Sequence, residues 1–197
     1  MRRLFLLLSF VLLSACVDTS GLNGQSSRTP HPKSNANAVV VVMEFADLQC
    51  PACQAAHEHI VSPILQKYGS QIRYDFMHFP LRSIHRYALD AGETAECAAD
   101  QGKFWEFVDL AYKKQADLNY DALLQWGKEL ELDVALLERC WKSRIKKSAV
   151  LSDYEKGKSM GVMGTPSFFV NGQKVESGFD TLSEAIDAAL AATKQRL

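Results

Sequence analysis

The apolar run Val39-Val40-Val41-Val42-Met43-Glu44-Phe45-Ala46 leads within four residues to Cys50-Pro51-Ala52-Cys53, and this junction constrains the fold more than any other feature of the chain. A β-branched stretch of this kind reads as a buried strand. Proline in the second position of the motif suits the first turn of a helix, where its missing N–H would have no partner anyway. The chain therefore passes from strand to helix with two cysteines at the turn. A helix N-terminus presents unpaired N–H groups and the positive end of the peptide dipoles, which favour a thiolate at Cys50. Cys53, one turn later on the same helix, is within reach to displace whatever becomes attached to Cys50, the geometry of thiol–disulfide exchange.

A zinc site is the competing reading. Closed structural sites need four ligands at suitable spacing; the sequence has no second close cysteine pair, and His57, four residues after Cys53, is the only nearby supplement. No metal is expected.

Arg2 and Arg3 precede an apolar run over residues 4–13 that is short for a membrane span and reads as an export signal. Its exit, Leu13-Ser14-Ala15-Cys16, resembles the lipobox of bacterial lipoproteins, which implies a signal peptide over residues 1–15 and lipidation of Cys16; simple secretion is the alternative. Either way the expected compartment lies outside the cytosol, in the periplasm or cell envelope. Five cysteines are an odd number for an exported chain. Lipidation removes one, the exchange motif takes two, and Cys97 and Cys140 remain to form a structural disulfide or to stand as two buried thiols. The bridge would close a loop of about 44 residues, worth roughly 4 kcal/mol. Residues 16–37, rich in Ser, Gly, Asn, Thr and Pro, read as a flexible linker, and residues 38–197 as one domain with a full core. A net charge of −1 argues against a nucleic-acid partner held by phosphate neutralisation.

Apolar positions from Ile60 to Tyr68 extend the first helix over about 51–68, with a kink at Pro63 and a cap at Gly69. Ile72, Tyr74, Phe76 and His78 then alternate with Arg73, Asp75 and Met77 as a strand. Strand, helix and strand in this order predict a parallel pair. Residues 83–160 read as helical throughout, a block inserted between two halves of an α/β unit and containing both Cys97 and Cys140. Strands follow at 167–170 and 173–176 around Asn171-Gly172, a strong hairpin signal. Thr181 and Glu184 suggest a capping box for an amphipathic closing helix.

The Cys-Pro-Ala-Cys unit, the Gly164-Thr165-Pro166 turn before a hairpin and the helical insertion together resemble the DsbA-like branch of the thioredoxin superfamily. The resemblance implies an α/β thioredoxin fold with an inserted helical domain and a protein thiol:disulfide oxidoreductase. It implies a cis Pro166 beside the cysteine pair, and at Thr165 backbone groups that bind an extended substrate segment. It also implies a buried acid at Glu44, six residues before Cys50, assisting proton transfer at Cys53; an exposed strand glutamate is the alternative, and Asp47 the weaker candidate acid. No cofactor is expected beyond the redox-active Cys50–Cys53 disulfide. The implied partners are exported proteins with cysteines and a membrane redox partner that resets the pair, met by a lipid-anchored monomer. Oxidase is the favoured direction. Reductase, isomerase and a non-catalytic binding module are the alternatives, since Pro51-Ala52 supplies no cation to hold the Cys50 thiolate.

Overall fold

The computed structural model describes residues 31–195. The expected signal peptide, Cys16 and the first part of the linker lie outside the described residues.

A five-stranded mixed sheet has the order β1-β3-β2-β4-β5. At its centre, β2 (Val40–Ala46) and β3 (Ile72–His78) run parallel, Val40 opposite Ile72 and Ala46 opposite His78. Between them the chain forms α1 (Pro51–Ala56), a π-helical turn (His57–Val61) and α2 (Ser62–Tyr68). The irregularity at Pro63 takes the form of this π turn, since a wider turn removes the need for the N–H that proline lacks. Gly69 ends α2 in right-handed helical geometry, not as a left-handed cap. A side chain there would place its Cβ 2.5 Å from the Leu65 carbonyl oxygen, so close approach is what requires glycine.

On the other side of β2, the antiparallel hairpin β4 (Ser167–Val170) and β5 (Gln173–Val175) turns through Asn171 and Gly172, both at positive φ as the two-residue turn demands. Asn171 also fixes the hairpin on β2, its Oδ1 accepting from the Val41 N–H at 2.8 Å. The closing helix α8 (Phe179–Lys194) starts two residues before the expected box. Gly178 is its N-cap, and the Thr181 hydroxyl donates to the carbonyls of Glu176 and Gly178, so Thr181 and Glu184 form no capping box.

Five helices make the inserted block: α3 (Ala88–Ala99), α4 (Phe104–Lys113), α5 (Tyr120–Glu129), α6 (Val134–Ser143) and α7 (Lys147–Ser159). Cys97 on α3 and Cys140 on α6 are disulfide-bonded. The block's core, around Phe107, Val108, Leu123 and Leu137, is continuous with Cys53 and Phe76. A second core on the same sheet face gathers Val42, Ile64, Tyr74, Phe168, Leu182 and Ile186, and a third, with Phe45, Met77, Phe79 and Phe169, lies on the opposite face.

The linker boundary at residue 37 needs correction. Lys33–Ser34 is a short edge strand, β1, antiparallel to β3. The segment is held by side chains: His31 stacks on Phe104 with centroids 4.4 Å apart and bonds Glu96 at 3.0 Å, while Lys33 lies 4.6 Å above the Trp105 ring. Two paired residues are too few to show an alternation, so composition alone makes this stretch look like linker.

Candidate active site

Cys50 is the N-cap of α1, in extended backbone geometry (φ −80°, ψ 119°), with Pro51 in the first helical position. Its carbonyl already accepts from Cys53 N–H at 3.0 Å and Gln54 N–H at 3.1 Å, so the helix begins at the cysteine. The insertion pins this turn from outside. Gln115 Nε2 donates to the Leu48 carbonyl at 3.0 Å and to the Cys50 carbonyl at 3.1 Å, and Gln49 Oε1 accepts from the Tyr87 N–H at 2.7 Å. Both motif cysteines are free thiols; Cys50 is 6% exposed and Cys53 fully buried. The Thr165–Pro166 peptide is cis, and the Thr165 carbonyl accepts from the Cys50 thiol at 3.6 Å. Two stretches far apart in the chain thus meet at one sulfur.

The two sulfurs differ sharply in acidity. Cys50 is lowered from 9.0 to about 5, first by the Cys53 thiol beside it, with the Thr165 side chain and the backbone N–H groups of Cys53 and Ala52 adding to the effect against the opposing influence of burial. Burial pushes the Cys53 thiol up, and Cys50 and the charge on Glu44 push it further. One thiolate near neutral pH, on Cys50, is the result. The Asp47 N–H points at the Cys53 sulfur, 3.5 Å away.

Glu44 has no exposed surface. β2 is central in the sheet, with β3 and β4 on either side and helices over its faces, so the exposed-strand alternative does not hold for this side chain. Burial raises its carboxyl from 4.5 to about 7 against the lowering effect of the Tyr74 hydroxyl, which donates to Glu44 Oε2. Glu44 Oε1 has no hydrogen-bond partner. Asp47 differs: its carboxylate accepts from Gln49 N–H at 2.7 Å and Leu81 N–H at 2.8 Å and pairs with His85 Nδ1 at 2.7 Å, so its oxygens are occupied holding the loop.

His57 lies on the π turn with Nε2 3.0 Å from Asp109 Oδ1. Among the described residues no group of three or more His, Cys, Asp or Glu side chains is placed to hold a metal. Sequence reasoning missed Tyr74, Tyr112 and Gln115. For Tyr74 a signal existed, because alternation in β2 and β3 puts Glu44 and Tyr74 on one sheet face once the parallel register is known. Tyr112 and Gln115 reach the site from the inserted block, and no spacing announces them.

Relatives were found at two levels. The Na(+)/H(+) antiporter NhaA 3 of Salinispora tropica is 36% identical over 168 residues, and NhaA 1 of Mycolicibacterium vanbaalenii 30% over 157. These matches cover 84% and 78% of this chain but 26% and 25% of the relatives, so the chain spans about a quarter of their length. No described helix is long and apolar enough to cross a membrane. Among solved structures, oxidised BdbD of Bacillus subtilis has a TM-score of 0.73 at 21% identity, covering 81% of this chain and 92% of its own. Wolbachia pipientis alpha-DsbA1 has a TM-score of 0.74 at 20% identity, covering 86% and 96%. These likenesses establish a DsbA-like thioredoxin fold with a helical insertion. The family model described as Thioredoxin matches residues 27–188, and the chain belongs to that family.

Proposed function

We propose that this protein is an extracytoplasmic thiol:disulfide oxidoreductase that exchanges disulfides with exported proteins through Cys50 and Cys53, working as a disulfide-forming oxidase. The observation that carries the reading is the contrast between the two sulfurs at the start of α1: a depressed thiol at Cys50 facing the cis Thr165–Pro166 turn, and a raised, buried thiol at Cys53. In the oxidised protein a substrate thiolate attacks the Cys50 sulfur and the Cys50–Cys53 bond breaks. Cys53 leaves and takes up a proton, for which Glu44 is the nearby source. A second substrate thiolate attacks the substrate sulfur of the mixed disulfide, forms the substrate disulfide and releases Cys50 as a thiolate. Stabilising that thiolate stabilises the reduced protein, which makes the oxidised form a strong oxidant. In this reading the backbone of Thr165, whose carbonyl accepts from the Cys50 thiol, pairs with an extended substrate segment in the manner of an added strand.

The chemistry needs no cofactor beyond the cysteine pair. Turnover needs a membrane redox partner to reoxidise it, and lipidation of Cys16 would keep the domain near such a partner at high effective concentration. The test is oxidation of a reduced dithiol peptide by the oxidised domain, with its potential set against glutathione. We expect oxidation that Cys50→Ala abolishes. A potential well below that of the glutathione pool would make the protein a reductant, and absence of exchange in the parent would leave only a binding module.

A further inference from the structure

The turn between β2 and α1 is organised by Asp47. Ala46 still belongs to the sheet, its carbonyl accepting from the Phe79 N–H at 2.8 Å. One residue later the chain leaves β2, and both backbone groups of Asp47 face the cysteines. Its N–H points at the Cys53 sulfur, 3.5 Å away, and its carbonyl accepts from the Cys50 N–H at 3.0 Å. The Asp47 side chain fixes that arrangement. It has no exposed surface, and its two oxygens take three donors: the Gln49 N–H at Oδ1, and at Oδ2 the Leu81 N–H and His85 Nδ1. A carboxylate only accepts, so His85 Nδ1 carries the proton of that bond. Gln49 Oε1 closes the frame by accepting from the Tyr87 N–H. The segment after β3 is thereby tied to the active-site turn at Leu81, His85 and Tyr87. His85 is the side-chain member of this clamp, and 15% of its side chain is exposed, so it can be replaced without opening a core.

We infer that the Asp47 peptide N–H donates to the Cys53 sulfur as negative charge develops on it during exchange, and that His85 is the positioning residue that keeps this N–H aimed, acting through the Asp47 carboxylate. The inference rests on the exchange reading above. When a substrate thiolate attacks the Cys50 sulfur, the Cys50–Cys53 bond breaks and its electron pair stays on Cys53, a thiolate until it takes a proton from Glu44. When Cys53 resolves a mixed disulfide, it gives that proton back to Glu44 and carries the same charge. Its sulfur then bonds to the Cys50 sulfur, the bond from Cys50 to the substrate sulfur breaks, and the substrate leaves as a thiolate. Charge therefore appears at the Cys53 sulfur in both directions, at a place with no exposed surface. Burial disfavours it, and the Asp47 N–H acts against that penalty. A hydrogen bond to an ion is about twice as strong as one between neutral groups. A fixed N–H thus favours the charged transition state over the thiol or the disulfide on either side of it.

The test times a single step. Cys50 is loaded with thionitrobenzoate, and release of the coloured thiolate by Cys53 is followed near neutral pH in parent, His85→Phe, His85→Leu and His85→Asn proteins. Phenylalanine and leucine both remove the donor to Asp47, the first keeping the bulk of a ring, while asparagine puts an amide N–H near the position of Nδ1. We expect the two apolar variants to slow release about tenfold, short of the roughly hundredfold cost of losing an oxyanion-hole donor outright, because the N–H is misaimed and not removed. His85→Asn should recover most of the parent rate. Alkylation of Cys50, which does not involve the Cys53 sulfur, should proceed at the parent rate in all four. Parent-rate release in His85→Phe and His85→Leu would overturn the inference and leave the exchange reading standing, whereas a parent that releases no thionitrobenzoate would overturn both. Release as slow in His85→Asn as in the apolar variants, or release and alkylation falling together, would assign His85 to packing and so overturn the positioning role.

Discussion

Reduced protein should gain stability over oxidised protein as pH rises, by an amount set at one sulfur. Cys50 in the folded chain lies at about 5 against 9.0 for an ordinary thiol. Between those values the unfolded chain binds more protons than the folded one, so stability rises with pH; the contribution is complete above about 9 and lost as pH falls through about 5. From pH 5 to 8 the full difference is about 4 kcal/mol at 1.36 kcal/mol for each tenfold step. Solvent at the mouth of the site screens it, and halving for that leaves about 2 kcal/mol. Oxidised protein has no thiol to titrate at this site, and Glu44 is present in both forms with the Cys50 charge the smallest cause of its shift, so the difference between forms is set chiefly by Cys50. Cys53, whose thiol is raised, weighs in the opposite direction only above about pH 9. The assay is urea unfolding of both forms at several pH values up to about 8, followed by tryptophan fluorescence. Expressed as a potential, about 2 kcal/mol is about 40 mV in the oxidising direction. A difference between forms that stays flat or falls over this range would refute the claim that the fold stabilises the Cys50 thiolate.

Glu44 should give the opposite slope: raised from 4.5 to about 7, it lends stability that is present below about 4.5 and lost as pH rises through about 7. In oxidised protein that loss is about 3 kcal/mol, and Glu44→Gln should flatten it in urea unfolding while slowing release from a Cys50 mixed disulfide. Removing the Cys97–Cys140 bridge with paired alanines should lower unfolding free energy by roughly 4 kcal/mol, read from the urea midpoint, with Cys50 alkylation unchanged. Gly157→Ala sets two effects against each other. Alanine favours α7 by about 1 kcal/mol, but its Cβ would stand 2.7 Å from a Phe79 ring carbon and 2.9 Å from a Phe45 ring carbon. Overpacking of about 1–3 kcal/mol should win, and thermal unfolding should show a lower midpoint.

The sheet's central strands, the hairpin and the placement of the cysteine pair were legible because each rests on short-range chemistry. Val40 to Phe45 can only be a buried strand, Pro51 starts a helix, and Asn171-Gly172 turns a hairpin without help from the rest of the chain. The helical block from α3 to α7 followed from helix-forming composition in the same way. The capping box failed because Thr181 and Glu184 satisfy a pattern that the N-cap Gly178, three residues before Thr181, had already made unnecessary. β1 was missed because its anchors are a histidine and a lysine reaching Glu96 and Asp109, partners more than sixty positions away.

By itself the amino-acid order determined that two sulfurs stand at a strand-to-helix turn, since local propensity and backbone geometry act over a few residues. Only the tertiary structure decided how those sulfurs differ. Their acidity depends on what lies within a few ångströms and on how much water is excluded, and those neighbours come from everywhere: Thr165 from the far side of the insertion, Tyr74 from the next strand, Gln115 and Tyr112 from the block itself. The burial of Glu44 has the same origin, for a carboxylate in a strand is ordinary until a sheet closes on both sides of it.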